Sequence, residues 1–235
     1  MKNLIIFSVF VLLLVFAQFA QAQTVDEVIN KHVEALGGKV NLDKIQNIIS
    51  LGTMNTQGAE VAITSTSVNN KLTRQDISVM GMVGFDMMTE KEGWTYMPFL
   101  GMSQPEAKSG DEVKENQKDL DIAGPLVDYE AKGHKAELLG KETVSGIESY
   151  KIKLTTAGGK TITYYLDQKT HLITRSTETR NVNGQETEIR LEFADYKEVD
   201  GVKMAHSITN EYGTMYISSV KVNQPIPDSA YKHDM

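Results

Sequence analysis

The stretch that decides the fold is residues 148–166, ESYKIKLTTAGGKTITYYL. Apolar and polar side chains alternate on both sides of the small, flexible run Ala157-Gly158-Gly159. The residues on the apolar faces are Tyr150, Ile152 and Leu154 in the first segment and Ile162, Tyr164 and Leu166 in the second. Alternation with period two around a glycine turn is typical of a β-hairpin with one buried face.

The same period continues through most of the chain. It predicts strands at 48–55, 59–68, 71–80, 83–89, 93–97, 135–143, 148–155, 161–166, 172–181, 185–197, 202–210 and 214–222. Turn signals separate them, among them Asn183-Gly184, which favours a type I′ hairpin, and Asp200-Gly201. Short strands at hairpin spacing predict a mainly β protein with helices (α+β), built on an antiparallel, strongly curved sheet or partly closed barrel.

Two segments carry helical signals instead. At 24–37, Thr24 and Glu27 form a capping box, an apolar stripe follows at helical spacing, and Gly37-Gly38 ends the helix, with a shorter helical turn expected at 42–45. Residues 98–133 interrupt the strands: Ser109 and Glu112 form a second capping box, which predicts a charged helix over 111–121. Gly124-Pro125 predicts another short helix over 126–131. We therefore expect an N-terminal helix and a helical insertion.

The N-terminus has the pattern of a cleavable signal peptide. Lys2 precedes an apolar run over 4–16, and Ala20-Gln21-Ala22 provides small residues before the cleavage point. We expect residues 1–22 to be removed and residues 23–235 to form a single domain. The chain has no cysteine, so the mature protein cannot itself be a cysteine-anchored lipoprotein and must be stabilised without disulfides. A periplasmic location fits these features.

Charge and motif content exclude several functions. The chain has 24 basic and 31 acidic residues, a net charge of −7, and no basic run, so we expect neither nucleic acid nor an anionic membrane surface as a partner. The five histidines are scattered, and no nucleophile elbow or metal-ligand motif appears. We therefore expect no enzyme activity, no catalytic residues, no metal and no cofactor. A dispersed pair of carboxylates is the alternative that stays open.

Residues 79–102, VMGMVGFDMMTEKEGWTYMPFLGM, contain six of the eleven methionines and the only tryptophan. Three interpretations are possible: ordinary core, a Cu(I) site built on Met80 and Met82, or an apolar surface for a ligand of variable shape. Copper is disfavoured because the stretch has no histidine or cysteine. The ligand interpretation predicts an apolar pocket lined by Met80, Met82, Phe85, Met87, Trp94, Tyr96, Phe99 and Leu100.

Alternation limits how many of these side chains can meet one ligand. Phe85 and Met87 share one face of their strand, and Trp94 and Tyr96 share one face of the next. The pocket hypothesis therefore requires these two pairs to converge beneath the 98–133 insertion.

An ordered series of short motifs runs along the chain: Asn69-Asn70-Lys71-Leu72-Thr73-Arg74, Glu92-Gly93-Trp94-Thr95-Tyr96-Met97-Pro98, Tyr165-Leu166-Asp167-Gln168-Lys169-Thr170, Asn183-Gly184, Phe193-Ala194-Asp195-Tyr196, Asp200-Gly201-Val202, and Val222-Asn223-Gln224-Pro225-Ile226-Pro227-Asp228. This series resembles the LolA/LolB-type outer-membrane lipoprotein-sorting carriers. The series spans nearly the whole mature chain. It departs from the family where Glu92-Gly93 replaces an Asp-Gly pair, and the 111–121 segment is unusually charged.

The resemblance implies a half-open, strongly curved antiparallel β-barrel of about 11–12 strands, with an N-terminal helix and a helical lid insertion. It implies a periplasmic carrier whose partners are lipoprotein acyl chains or other lipids, an inner-membrane release complex and an outer-membrane acceptor. It also implies a monomer, with Arg74 as the residue that contacts the lid. The alternatives are a divergent paralogue acting as an envelope sensor or scaffold for a protein partner, and a Cu(I)-binding protein.

Overall fold

One antiparallel sheet contains all the strands found in residues 23–56, 58–182 and 185–233, which are the residues that the computed structural model describes. The expected signal peptide, 1–22, and the expected turn at 183–184 lie outside the described residues. Within the described ranges there are thirteen strands. They are β1 Asn47–Thr56, β2 Ala59–Val68, β3 Leu72–Val79, β4 Met82–Thr89, β5 Gly93–Tyr96, β6 Glu106–Ala107, β7 Lys135–Val144, β8 Ile147–Thr155, β9 Thr161–Asp167, β10 Ile173–Val182, β11 Gln185–Val199, β12 Val202–Asn210 and β13 Gly213–Val222.

The strand order explains why the sheet is open. It runs β6-β5-β4-β3-β2-β1-β13-β12-β11-β10-β9-β8-β7, so the chain starts at the centre, meanders to one edge, and returns from the other edge. The two halves join where β1 pairs with β13. The segment between β6 and β7 therefore connects the two free edges. The expectation of an open, curved antiparallel sheet is confirmed.

The strand that sequence reasoning missed is β6. It has two residues, and it pairs with Trp94 and Thr95 of β5. Two residues cannot show a period, so alternation had no signal to offer here.

The N-terminal helix is α1, Val25–Leu36, and it begins as the sequence predicts. The Thr24 hydroxyl accepts from the Glu27 amide, and the Glu27 carboxylate accepts from the Thr24 amide. The chain then leaves the helix at Gly37, whose φ is +121°. A Cβ at Gly37 would overlap with the carbonyl oxygen of Gly201, so only glycine fits this close approach. The second helix, α2, is Lys39–Leu42, slightly earlier than the helical turn expected at 42–45.

The 98–133 insertion has less helix than the sequence predicts. It contains a 3₁₀ turn at Pro98–Leu100, helix α3 at Gly110–Glu115 and a second 3₁₀ turn at Gln117–Leu120. The expected helix over 126–131 is wrong, because these residues form turns. Asp128 takes a positive φ of 51° in the middle of that segment, which a continuous α-helix does not allow. No helix within the described residues is long and apolar enough to cross a bilayer.

The main core lies where α1 packs on the sheet. Val28 and Ile29 of α1 are buried against β8, β9 and Leu126 of the insertion. The sheet residues of this cluster are those that the alternation predicts, Tyr150, Ile152, Leu154, Ile162, Tyr164 and Leu166. We call the face that carries α1 the inner face, and the opposite one the outer face.

His32 of α1 is part of this packing and is only 3% exposed. Its Nδ1–H donates to the carbonyl oxygen of His171, 2.8 Å away. Burial lowers the pKa of His32 from 6.5 to about 4, since the charged imidazolium would lose its hydration, and the bond to the carbonyl only partly offsets this. His32 therefore has a structural role in this core.

The lowered pKa makes His32 a source of acid sensitivity. The folded protein favours neutral His32, so its contribution is fully present above pH 6.5 and is lost as the pH falls from 6.5 towards 4. The loss amounts to about 3 kcal/mol. We expect His32→Asn, which keeps a donor for His171, to weaken this pH dependence in urea unfolding measured at pH 7 and pH 4. Equal pH dependence in both proteins would contradict this role.

Candidate functional site

The register of the sheet decides which side chains face which way, because directly paired residues lie on the same face. Starting from Ile162 on the inner face, the pairing passes through Glu178 to Ile189 of β11. It continues from Phe193 to Ile208, and from Ile208 to Met215. Met215 then pairs with Met54, and the same face continues through β2 and β3 to β4.

This face presents a band of apolar side chains, mostly aliphatic or thioether, in the middle of the sheet. We call the band the inner hollow. Its members are Met54, Val61, Ile63, Ile77, Val79 and Met82 on β1–β4, and Ile189, Leu191, Phe193, Ile208, Met215 and Ile217 on β11–β13. Polar side chains occupy the opposite positions of several of these strands, for example Thr53, Thr64 and Ser78.

The two ends of the inner face differ. At one end α2 and the insertion cover it, and Leu42, Ile45 and Val127 are buried against Val202 and Val222. At the other end the residues of the inner hollow are mostly half-buried, and Met82 is 44% exposed. Among the described residues, the inner hollow is thus an aliphatic surface that the protein does not fill with its own core.

The expected pocket residues are divided between the two faces. Met82 lies on the inner face, and Met80 lies in the β3–β4 turn with its side chain 87% exposed. Phe99 reaches the inner face of β4 from the 3₁₀ turn, where it lies close to Gly84. Leu100 of the same turn is 77% exposed.

The other four residues converge, but on the outer face. Phe85 pairs with Tyr96, and Met87 pairs with Trp94, so all four side chains share one face. They form a cluster with Leu72 that packs against Ala230 of the C-terminal segment. The structure thus brings the two pairs together, and it places them beneath the C-terminal segment rather than beneath the 98–133 insertion. Met88, one residue on, faces inward and packs on Val113 and Leu120 of the insertion.

Arg74, which the resemblance implies contacts the lid, belongs to the same outer cluster. Its guanidinium bonds Asp76 through Nε and NH2, at 2.9 and 2.8 Å. Its NH1 donates to the carbonyl oxygen of Lys232 at 2.7 Å. The contact that the structure shows for Arg74 is therefore with the C-terminal segment.

The insertion is held on the inner face by charges that local sequence could not reveal. Lys118, whose side chain is 9% exposed, lies 3.3 Å from the equally buried carboxylate of Glu178 on β10. Lys160 lies 3.8 Å from Glu178 and 3.0 Å from Glu115 of α3. The partners are far apart in the sequence. The charged segment 111–121 has the composition of an exposed surface, so the sequence did not indicate that Lys118 would be buried.

Beside these ion pairs a cleft of about 680 Å³, with several charged side chains in its lining, separates the insertion from the β8–β9 turn. Its lining mixes lysines 114, 118, 132 and 160 with Asp111, Glu115 and Asp121. Lys132 bonds Asp121, and burial lowers the pKa of His134. Within the described ranges, no three or more histidine, aspartate or glutamate side chains come close enough together to hold a metal ion.

Solved structures with the same architecture identify the fold. A DUF1329 family protein from Desulfovibrio piger and a LolA superfamily protein from Nitrosomonas europaea each superpose with a TM-score of 0.57 at 16% identity, covering 90% of this chain and 98% of theirs. The chain has a LolA-like fold. A domain from Vibrio parahaemolyticus assigned as an outer membrane lipoprotein-sorting protein gives a TM-score of 0.52 at 14% identity, covering 86% and 95%. Comparison with protein-family models and with curated proteins gives no match.

The start of the insertion packs closely against the LolA-like sheet at Gly84. A Cβ here would overlap with the carbonyl oxygen of Tyr96 and lie 3.0 Å from the Phe99 ring. We expect Gly84→Ala to lower the free energy of urea unfolding by about 2 kcal/mol, since the neighbouring backbone must move. Gly110→Ala is the matched control, because its Cβ meets nothing within 4 Å, and it should leave stability nearly unchanged. Equal effects of the two changes would refute the close approach.

The Lys118–Glu178 pair predicts a non-additive effect on stability. Glu178→Gln leaves buried lysine charge and should cost about 3 kcal/mol in urea unfolding. Combining it with Lys118→Met should cost clearly less than the sum of the two single changes, because both charges are then absent. The partly exposed pair Lys151–Glu142 is the control, where Lys151→Met should cost about 1 kcal/mol or less. Strictly additive costs at 118 and 178 would show that the pair is not coupled.

Proposed function

We propose that the protein is a carrier that holds the acyl chains of lipids or lipoproteins in the inner hollow. The observation that carries the proposal is the band of half-buried aliphatic residues on the inner face, left open at one end and bordered by the insertion at the other. A hollow of this kind can take up an apolar chain in place of water. The apolar lining supports binding of an apolar chain by burial.

Non-directional burial is a sufficient physical basis for such a carrier. Each methylene of an acyl chain removed from water contributes about 0.8 kcal/mol, so a chain of about ten gains roughly 8 kcal/mol before the cost of ordering. Methionines 54, 82 and 215 add flexible, polarizable side chains that adapt to ligands of different shape. Different lipoproteins that have only their lipid in common could then bind equally well.

The LolA-like fold supports the same proposal, since one protein of this fold is assigned to outer membrane lipoprotein sorting. For this chain we propose export to the periplasm through removal of residues 1–22, leaving residues 23–235 as a single, monomeric carrier domain. Its proposed partners are lipoprotein acyl chains, the inner-membrane complex that releases them and the outer-membrane acceptor. The carrier would act without a cofactor.

Binding of a fluorescent fatty-acid analogue tests the hollow. We expect the exported protein to bind the probe saturably, and Ile63→Glu to weaken binding at least about tenfold, because a carboxylate in the hollow must be desolvated by the bound chain. Ala62→Glu is the matched control: the neighbouring residue is exposed on the outer face and should leave the affinity unchanged.

Two outcomes would count against the carrier. Protein purified from its own host would contain no extractable lipid and would leave the probe unbound. Alternatively, Ile63→Glu and Ala62→Glu would weaken probe binding equally while both proteins remained folded by circular dichroism.

A further inference from the structure

The C-terminal segment, residues 228–233, packs on the outer face of β3–β5. We call the surface that it contacts the tail groove, defined by Arg74, Phe85, Met87, Trp94 and Tyr96. Ala230 packs on its apolar floor. The groove is separate from the inner hollow, because its side chains point to the opposite side of the sheet.

Arg74 is prepared to bind a peptide backbone. Two of its nitrogens are held by Asp76, and its guanidinium carbon lies 4.6 Å from the centre of the Phe85 ring. The remaining NH1 points at two carbonyl oxygens of the tail, those of Lys232 at 2.7 Å and Ala230 at 3.5 Å. Because the acceptors are main-chain atoms, another peptide of the same shape could supply them.

Trp94 provides a flat surface for a ring. Its indole is stacked on the imidazole of His233, with centroids 3.8 Å apart and planes at 3°. The indole N–H donates to Glu92 at 3.2 Å, which orients the ring. The tail is thus recognised by a small residue on the floor, two carbonyl groups, and a ring three residues after the small one.

The tail reaches the groove without becoming part of the sheet. β13 ends at Val222 in the middle of the strand order, and the chain then crosses to β5 near one edge. Residues 228–231 form a 3₁₀ turn, and the sheet ladder does not include them. A segment held by side-chain contacts outside the ladder can detach without breaking the sheet.

We propose that the tail groove is a peptide-recognition site, which the chain's own C-terminal segment occupies in cis. Its ligand in trans is a segment of a partner protein with the same chemistry: a small residue, two accessible carbonyl groups at that residue and two residues later, and a flat ring at the third. Binding of such a partner displaces the tail. This goes beyond the carrier function and does not depend on it, since no residue of the groove belongs to the inner hollow.

The test uses the full chain and a labelled synthetic peptide of residues 224–235, QPIPDSAYKHDM. In the wild-type chain the tethered tail competes at an effective concentration of about millimolar, so the peptide should bind weakly. In the full-length variant Ala230→Glu, His233→Ala the tail cannot pack in the tail groove. The peptide should therefore bind to this variant at least tenfold more tightly than to the wild type, as measured by fluorescence anisotropy.

Matched variants separate the groove from a general loosening of the chain. Adding Trp94→Leu or Arg74→Gln to the tail variant should abolish the gain, and so should His233→Ala in the peptide. Ser229→Ala in the full chain is the tail control, because residue 229 is exposed, and it should bind the peptide as weakly as the wild type. The milder single variant His233→Ala should show an intermediate gain, which keeps the test valid if the double variant does not fold.

Three results would overturn the proposal. The folded tail variants would bind the peptide no better than the wild type, or the gain would persist with Trp94→Leu. The third is concentration-dependent dimerisation of the wild-type chain that Trp94→Leu abolishes, since this would assign the groove to the tail of a second copy. Fatty-acid binding should be unchanged in the tail variants, so failure here is distinguishable from failure of the carrier function.

Discussion

The packing of Val28 and Ile29 of α1 against β8 and β9 orients the entire sheet. It assigns Ile152, Leu154 and Leu166 to the inner face, and antiparallel pairing passes that assignment from strand to strand. A strand shifted by one residue would turn its whole apolar set outward. The inner hollow, the buried ion pairs under the insertion and the outer tail groove all follow from this one orientation.

The inner face is used in two ways because the insertion covers only part of it. At the covered end, Val127 and α2 complete a core of ordinary kind. Lys118 and Glu178 are also buried there. Such an ion pair fixes the position of the insertion on the sheet more than it adds to net stability, because the cost of desolvating both charges offsets much of their attraction. At the open end, aliphatic side chains remain available to a ligand. The same alternation thus produces stability at one end and a binding surface at the other.

In the methionine-rich stretch 79–102, the alternation of side chains along the strands places neighbouring methionines on opposite faces of the sheet. Met82 and Met88 face inward, whereas Met87 faces outward. Met88 contacts the insertion, Met82 is a half-exposed member of the inner hollow, and Met87 is fully buried beneath the C-terminal segment. Methionines that are close together in the sequence therefore lie in three different environments. Phe85, Trp94 and Tyr96 of the stretch lie on the outer face at a site distinct from the hollow, where Trp94 stacks on His233, whereas Phe99 reaches the inner face.

The sequence by itself determined every described strand except the two-residue β6, together with the capped N-terminal helix and the position of the insertion, because period two, capping boxes and glycine turns are local signals. It also determined that Phe85 and Met87 share a face, as do Trp94 and Tyr96. It could not show that both pairs face outward, nor that residues 126–131 lack a helix, nor that Lys118 meets Glu178. Those outcomes depend on which face α1 covers and on contacts between distant residues. Only the tertiary structure decided them, since alternation defines two faces but does not say which one the core will bury.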